Sequence, residues 1–386
     1  MELEKLKELF YSADKPNMKL SIELAKSMGH QPFVDFYNQW LEILKFYQSR
    51  GAKNYSLIDC VETFKERGNS IYIGDVKDAN LLDCFRLLAD DCLGITLANT
   101  TFETLPEVFQ SFKQLKSAKF YKNCIKKIPN WFYELTDLET LIFENNPIWI
   151  MPAEFTKFKK LKELTFNHQM VSLVLPPQIV DLQQLESLNL GVNYVPQPKI
   201  KELSLILQLK KLKNLSLTYL DISDIQNQLH QLPALRSLSL SNCKIDGRQL
   251  NGSELRTLES LSITNCEINN WQITGADLSR LEHLEINNCN IDGLQIDDTE
   301  LINLKTVTLE YMKLKALPSF VANSPNLEEL YLRSIKIPGF SPDLAKLTKL
   351  TYADIRVYSL VYEDDEDWLP KLEKWLPNAS INFDAY

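Results

Sequence analysis

From residue 92 onward the chain repeats one pattern of apolar and polar positions. With Cys92 as position 1, equivalent residues recur at Leu115, Leu138, Leu161, Leu185, Leu212, Leu235, Leu258, Leu281, Leu304, Leu327 and Leu350, and nine of those eleven steps are 23 residues. Positions 4 and 6 are always apolar, from Ile95/Leu97 through Leu261/Ile263 to Ala353/Ile355, and so is position 11, from Phe102 to Leu360. Alternation at 4 and 6 predicts a short strand with one buried face, and the two-residue period sends positions 3, 5 and 7 to the other face. One unit cannot bury its own apolar edge. Neighbours are therefore expected to stack into a curved parallel sheet of about twelve strands at ~4.8 Å spacing. Two units depart from the period: the one starting at Leu161 carries one extra residue and the one at Leu185 carries four. The second insertion, within VPQPKIKELSLILQL, predicts a longer convex-side helix from about Lys199 to Leu209.

The ends follow a different pattern. Residues 1–68 read as four helices, roughly 2–11, 17–28, 32–49 and 57–67, with Asn17 as an N-cap, Pro32 at a helix start and Gly29, Gly51 and Gly68 as stops. Phe33, Phe36, Tyr37, Trp40, Leu41 and Leu44 form an apolar stripe at helical spacing, expected to pack within this domain or on the first repeat. Residues 69–91 predict a strand near Ile71–Ile73 and a helix from about Asn80. Their register against the repeat is off by one residue, which marks a capping element. After the repeats, taken as 92–357, residues 358–386 predict a helix carrying Trp368, Leu372, Trp375 and Leu376, then a strand around Ser380–Phe383. The acidic run from Glu363 to Asp367 precedes that helix, where its dipole favours carboxylates. Exposed end strands leave open edges, so both segments are expected to be caps.

The frame LxxLxLxx(N/C)x(L/I), over roughly residues 92 to 360, resembles the leucine-rich repeat family. Several return segments carry Leu/Ile/Met-Pro, as in FETLPEVF, IKKIPNWF, IWIMPAEF and LKALPSFV, similar to the 23-residue class of bacterial and Ras-associated intracellular repeat proteins. The resemblance implies an α/β fold: a right-handed solenoid, or horseshoe, with a concave parallel sheet, here with an N-terminal helical domain and a C-terminal helix-strand cap. Proline in the return segments ends extended backbone and opens a short helical turn.

Three near-copies, SLSNCKIDG, SITNCEINN and EINNCNIDG, place Cys243, Cys266 and Cys289 at position 9, each 23 residues apart. The same column holds Leu220, Met312 and Ile335, so the cysteines are expected to point inward and pack as small apolar residues. Zinc needs thiolates about 4 Å apart, whereas Cys243 and Cys289 are two strand spacings, on the order of 10 Å, apart. No metal or other cofactor is expected. Seven cysteines without a CxxC pair suit reduced thiols.

A net charge of −9 with no Lys/Arg block argues against nucleic acid and mildly favours a partner with a basic surface. No apolar run approaches the ~20 residues that span a bilayer, so no membrane segment is expected. The charged start MELEKLKELFYS has no signal core, and a cytoplasmic setting is expected. The sequence does not fix the oligomeric state.

Common phosphate, zinc, serine-hydrolase, dinucleotide and calcium motifs do not occur. The best catalytic trio is Ser260, His283 and Glu285, from adjacent units, but an open polar sheet face offers no oxyanion pocket and no buried acid. The chain is therefore read as non-enzymatic, a scaffold that binds a protein partner on the concave face. An adaptor or regulator of a small GTPase, a secreted bacterial effector or surface protein, and a hydrolase built on that trio are the other readings.

Positions 3, 5 and 7 of the middle units are small and nearly uncharged, as in Ser237/Ser239/Ser241. From Leu281 the face changes to His283 and Glu285, Glu310 with Tyr311, Tyr331 and Arg333, and Tyr352 and Arg356. These eight residues are the candidate partner-binding set. Pairing of Glu310 with Arg333 and of Tyr331 with Asp354 is the alternative role for this region. A smaller patch comprises Lys119, Tyr121 and Lys122.

Overall fold

The computed structural model describes residues 3–12, 14–148, 150–169, 174–192, 200, 202–246, 250, 252–269, 272–273, 275–289, 295–296, 301–358 and 368–385. The expectations for Leu360 and for the acidic run Glu363–Asp367 lie outside these residues. The chain divides into two compact units, residues 1–148 with 154–163, and 149–153 with 164–386.

The first unit begins with helices α1 (Leu3–Tyr11), α2 (Lys15–Ser27), α3 (Gln31–Gln48) and α4 (Leu57–Glu66). Asp14, not Asn17, caps α2: its side chain accepts from the Asn17 backbone N–H. At α3 the His30 ring accepts from the Phe33 N–H, with Pro32 in the first turn, where a missing N–H costs nothing. Ser56 and Asp59 form a reciprocal capping box on α4. Phe10 of α1 meets Phe36 and Trp40 of α3, ring centroids 5.4 and 6.0 Å away. The buried stripe of α3 is Phe33, Phe36, Trp40, Ile43 and Phe46, while Tyr37, Leu41 and Leu44 are only half-buried. The face is turned from the expected one because the end of α3 packs on the first rung, with Phe46 and Phe85 centroids 5.1 Å apart. Lys7 of α1 donates to Asp91 at 3.0 Å and the Tyr11 hydroxyl donates to the same carboxylate at 2.9 Å. Burial, then Asp91, pushes the Tyr11 hydroxyl well above its ordinary value.

The strands of the main sheet are β1 (Ser70–Gly74), β2 (Gly94–Ala98), β3 (Ser117–Tyr121), β4 (Thr140–Glu144), β5 (Glu163–Gln169), β6 (Ser187–Val192) and β7 (Asn214–Thr218). They continue as β8 (Ser237–Ser241), β9 (Ser260–Thr264), β10 (His283–Asn287), β11 (Thr306–Glu310), β12 (Glu329–Ile335), β13 (Tyr352–Val357) and β14 (Ser380–Ala385). The sheet has fourteen strands in chain order, against about twelve expected. The two extra are the strands read as caps. Ile71 and Ile73 stand opposite Ile95 and Leu97, so β1 is a rung in register and its 24-residue step is absorbed before β2. At the other end Ile381 and Phe383 of β14 stand opposite Ala353 and Ile355.

Within each unit the repeat behaves as the leucine pattern requires. Leu238, Leu240, Leu261, Ile263, Leu284 and Ile286 are all buried. Prolines open the returns as short 3-10 turns, with Pro106 before Glu107–Ser111 and Pro129 before Asn130–Glu134. The expected longer helix after Leu185 is instead a 3-10 turn over Leu203–Gln208, and the residues before it, 193–199 and 201, lie outside the described set. Even with four extra residues the register holds, Leu188 opposite Leu215. Helix α5 (Trp368–Trp375) buries Leu372, as does the following Leu376, while Trp368 and Trp375 are half-buried. Among the described residues no helix is long and apolar enough to cross a membrane.

Candidate functional site

Two columns fix how most of the strands end, and they set the polar face free. At position 8, Asp75, Asn99, Lys122, Asn145, Tyr219, Asn242, Asn265, Asn288, Tyr311 and Ser334 all take φ between 49° and 56°, the left-handed region that asparagine tolerates better than most residues. The turn aims the position-8 N–H at the next strand's last carbonyl: Asn242 to Thr264, Asn288 to Glu310 and Tyr311 to Arg333, at 2.8–2.9 Å. The Asn that recurs before each Cys is the sequence signal for this column.

Position 9 then bonds the turned backbone. Asn123 accepts from the Thr100 N–H and hydroxyl and donates to the Leu97 carbonyl, and Asn146 donates to the Phe120 and Glu144 carbonyls. The cysteines repeat this contact for contact. Cys266 Sγ accepts from the Cys243 N–H at 3.3 Å and lies 3.3 Å from the Thr264 carbonyl, and Cys289 Sγ accepts from the Cys266 N–H at 3.4 Å. Inward placement is as expected, but their role as plain apolar fillers is corrected: they serve as weak stand-ins for asparagine amides. Burial pushes the Cys243 thiol up to about 11. Tyr358 departs from the column, with 47% of its surface exposed. All seven cysteines are free thiols, and among the described residues no three His, Cys, Asp or Glu side chains are grouped to hold a metal ion.

With positions 4, 6, 8 and 9 committed to folding, chemistry is left to positions 3, 5 and 7. His283 stands opposite Ser260, as expected, but Glu285 stands opposite Ser262 and accepts its hydroxyl at 3.0 Å. The trio is thus not assembled. Among the described residues no hydrogen bond joins Ser260, His283 and Glu285 to one another, the Glu285 carboxylate being engaged by Ser262 instead. His283 is exposed on its strand.

Further along, β11 to β14 carry a continuous polar network. Arg333 donates to Glu310 at 3.0 Å on one side and to Asp354 at 2.7 Å on the other. Arg356 and Asn382 donate to the second oxygen of Asp354 at 2.9 and 3.0 Å. The Asp354 side chain is only 1% exposed, covered by these neighbours at the sheet surface. Burial alone would raise its pKa; the hydrogen bonds from Arg333 and Arg356 outweigh that and hold it below the usual carboxylate range.

The expected Glu310–Arg333 pair therefore forms, but the Tyr331–Asp354 pair does not. Tyr331 is opposite Asp354 in register, yet its hydroxyl donates to Glu329 in its own strand at 3.0 Å, because Arg333 reaches the carboxylate first. The Tyr331 ring lies 4.7 Å from the Arg333 guanidinium and 5.7 Å from the Tyr352 ring. Tyr311 is set apart from the other candidates. It occupies the left-handed position 8 at the end of its strand and is 59% exposed. In the smaller patch, Lys119 and Tyr121 are half-buried on β3 and Lys122 is exposed at position 8; burial, then Glu144 and Glu163, raises the Tyr121 pKa.

No protein-family model matches the chain, and no curated protein matches it either. Among solved structures it is similar to a leucine-rich repeat protein of Leptospira interrogans, at 19% identity and a TM-score of 0.50, covering 85% of this chain and 92% of that one. It is also similar to an internalin of Listeria monocytogenes, at 19% identity and a TM-score of 0.51, covering 78% and 88%. Register, buried leucine columns and these two neighbours agree, and the chain has the leucine-rich repeat fold.

Proposed function

We propose that this chain is a non-enzymatic scaffold that binds a protein partner on the outward sheet face of β10 to β14. The observation that carries this reading is the Tyr331–Tyr352 pair seated on the Glu310–Arg333–Asp354–Arg356 network. Tyrosine and arginine dominate binding hot spots, and side chains already held by neighbours lose little rotamer freedom when a partner arrives. Tyr311, at the strand end beside this face, adds exposed aromatic surface.

Charge indicates the kind of partner. The outward positions of these strands carry Glu285, Glu310, Glu329, Asp354 and Asp384 against Arg333 and Arg356, so 2 − 5 gives −3 with His283 neutral. Such a face suits a basic protein surface and repels phosphate backbones. A hydrolase on Ser260, His283 and Glu285 is disfavoured by the Ser262–Glu285 bond. The reading places the protein in the cytoplasm, supported by its seven unpaired thiols.

The test compares wild type with the Tyr331→Ala/Tyr352→Ala double variant, which spares the ion network, in affinity capture followed by titration of the recovered partner. Loss of two anchors worth about 2 kcal/mol or more together weakens binding by roughly 30-fold. A Ser216→Ala/Ser239→Ala control on the middle of the sheet leaves it unchanged. Equal affinity of wild type and the tyrosine variant would remove this face from consideration.

A further inference from the structure

The helical part of the first unit contains a cavity that the sheet-face reading does not use. It lies between α3, α4 and β1 and has a volume of about 220 Å³. Its floor is apolar: Trp40, Ile43, Phe64, Ile71 and Leu88 line it and are each at most 4% exposed. Its rim is polar and aromatic. Tyr55 and Thr63 share a hydrogen bond between hydroxyls at 2.9 Å, and Tyr47 donates to the Tyr72 carbonyl at 3.0 Å. The rim also holds Arg67, whose guanidinium lies 5.6 Å from the Tyr72 ring and, among the described residues, forms no ion pair with a carboxylate. An apolar floor, a few hydroxyls and one charge without a carboxylate partner at the mouth are the composition of a small-molecule site.

From this we propose that the cavity binds a compact apolar carboxylate, its ring or short chain against Trp40, Ile43 and Phe64 and its anionic end on Arg67. Size follows by proportion. A dry cavity of about 150 Å³ takes benzene, so one of this volume takes roughly nine non-hydrogen atoms, the size of benzoate. The charge requirement follows from Arg67, whose planar fork matches a carboxylate in a bidentate way. The hydroxyls of Tyr55, Thr63 and Ser70, all on the lining, supply further donors beside it.

The full chain is titrated with benzoate and with benzamide, its uncharged analogue of equal size, by calorimetry and by the methyl NMR shifts of Ile43, Ile71 and Leu88. Saturable benzoate binding with shifts at these methyls is expected, with benzamide about tenfold weaker because charge-assisted bonds are roughly twice as strong as neutral ones. Arg67→Gln, an exposed position, is expected to bring benzoate down to the benzamide level. Ala52→Leu, which adds bulk on the lining, weakens both ligands while the unfolding temperature holds. Equal affinity for the two ligands, benzoate binding unmoved by Arg67→Gln, or methyl shifts that do not saturate would each overturn the proposal. The sheet-face variant Tyr331→Ala/Tyr352→Ala serves as control and leaves benzoate binding intact, so this test stands or falls apart from the partner-binding one.

Discussion

Replacing Asp354 by alanine tests how the C-terminal strands are tied together. The carboxylate accepts from Arg333 on β12, Arg356 on its own strand and Asn382 on β14, so one side chain joins three strands, and Arg333 extends the link to Glu310 on β11. A hydrogen bond to a fully buried charge contributes about 1.5–3 kcal/mol. Arg333 and Arg356 are 38% and 45% exposed, so water replaces the lost acceptor and each bond is worth closer to 0.5–1 kcal/mol. With about 0.5 kcal/mol for exposed Asn382, and some relief from no longer desolvating a carboxylate, the net loss is about 1–2 kcal/mol. Repeat arrays need not unfold in one step, so a global midpoint is the wrong readout. Hydrogen exchange over residues 352–357 and 380–385 reads local opening, and it should quicken by roughly 5- to 30-fold at neutral pH. The pH dependence has a definite sign. Because the folded carboxyl titrates below its ordinary value near 4, the native state binds fewer protons than the unfolded one. The stabilisation is fully present above about pH 5 and is lost as pH falls through the folded value, where wild type and variant converge. Exchange within twofold of wild type at pH 7, or a difference that grows on acidification, would refute the assignment.

Other consequences are open to simpler checks. Leu261→Ala removes a core side chain only 1% exposed and should cost about 2–5 kcal/mol, visible as faster hydrogen exchange over residues 260–264; a loss under about 1 kcal/mol would mean that the column is not close-packed. A thiol reagent on native protein should modify exposed Cys124 first and reach Cys243 and Cys266 only on unfolding, and equal rates at Cys124 and Cys266 would contradict the ladder. Asp91→Ala strands Lys7, 11% exposed, and the Tyr11 hydroxyl, and should destabilise by about 3 kcal/mol; the double replacement Lys7→Met/Asp91→Leu should be milder than Asp91→Ala, and a double variant worse than the single would reverse that view of the pair.

Much of the fold is legible because burial imposes a period. Columns at positions 1, 4, 6 and 11 are apolar because, among the described residues, each lies inside its rung, and a one-residue slip would reverse a whole strand. Strand placement and parallel register follow from that alone. The fourteenth strand and the first escaped the count for one reason: Ile71/Ile73 and Ile381/Phe383 sit beyond the regular 23-residue frame, although each pairs in register with its neighbour. The stripe on α3 drifted because tertiary contact with Phe85, not helix geometry, selects Ile43 and Phe46 over Leu41 and Leu44. Side-chain partners were harder still. Register gives the right neighbours for Arg333 and Glu310, but Asp354 has four groups in reach, and a charge-assisted bond to guanidinium wins over a neutral tyrosine hydroxyl.

The two strand-end columns explain why function collects where it does. A left-handed residue at position 8 turns the backbone in most units, and position 9 faces inward, bonding that backbone where it is Asn or Cys and packing in the core where it is Leu220, Met312 or Ile335, so neither calls on positions 3, 5 or 7. Those three are then constrained only by compatibility with a strand, and the chain uses the freedom differently along its length. Serines at Ser237, Ser239, Ser241, Ser260 and Ser262 leave a low, nearly uncharged strip, whereas β12 and β13 raise two facing tyrosines beside two arginines that share one buried carboxylate. Small hydroxyls gain little from a partner, since water serves them as well; fixed aromatic rings and a net acidic surround gain more. If the acidic surround steers association, the on-rate for a basic partner should fall steeply between about 50 and 500 mM salt while the tyrosine variants mainly raise the off-rate. A partner whose on-rate ignores salt would assign the face's charges to strand pairing alone.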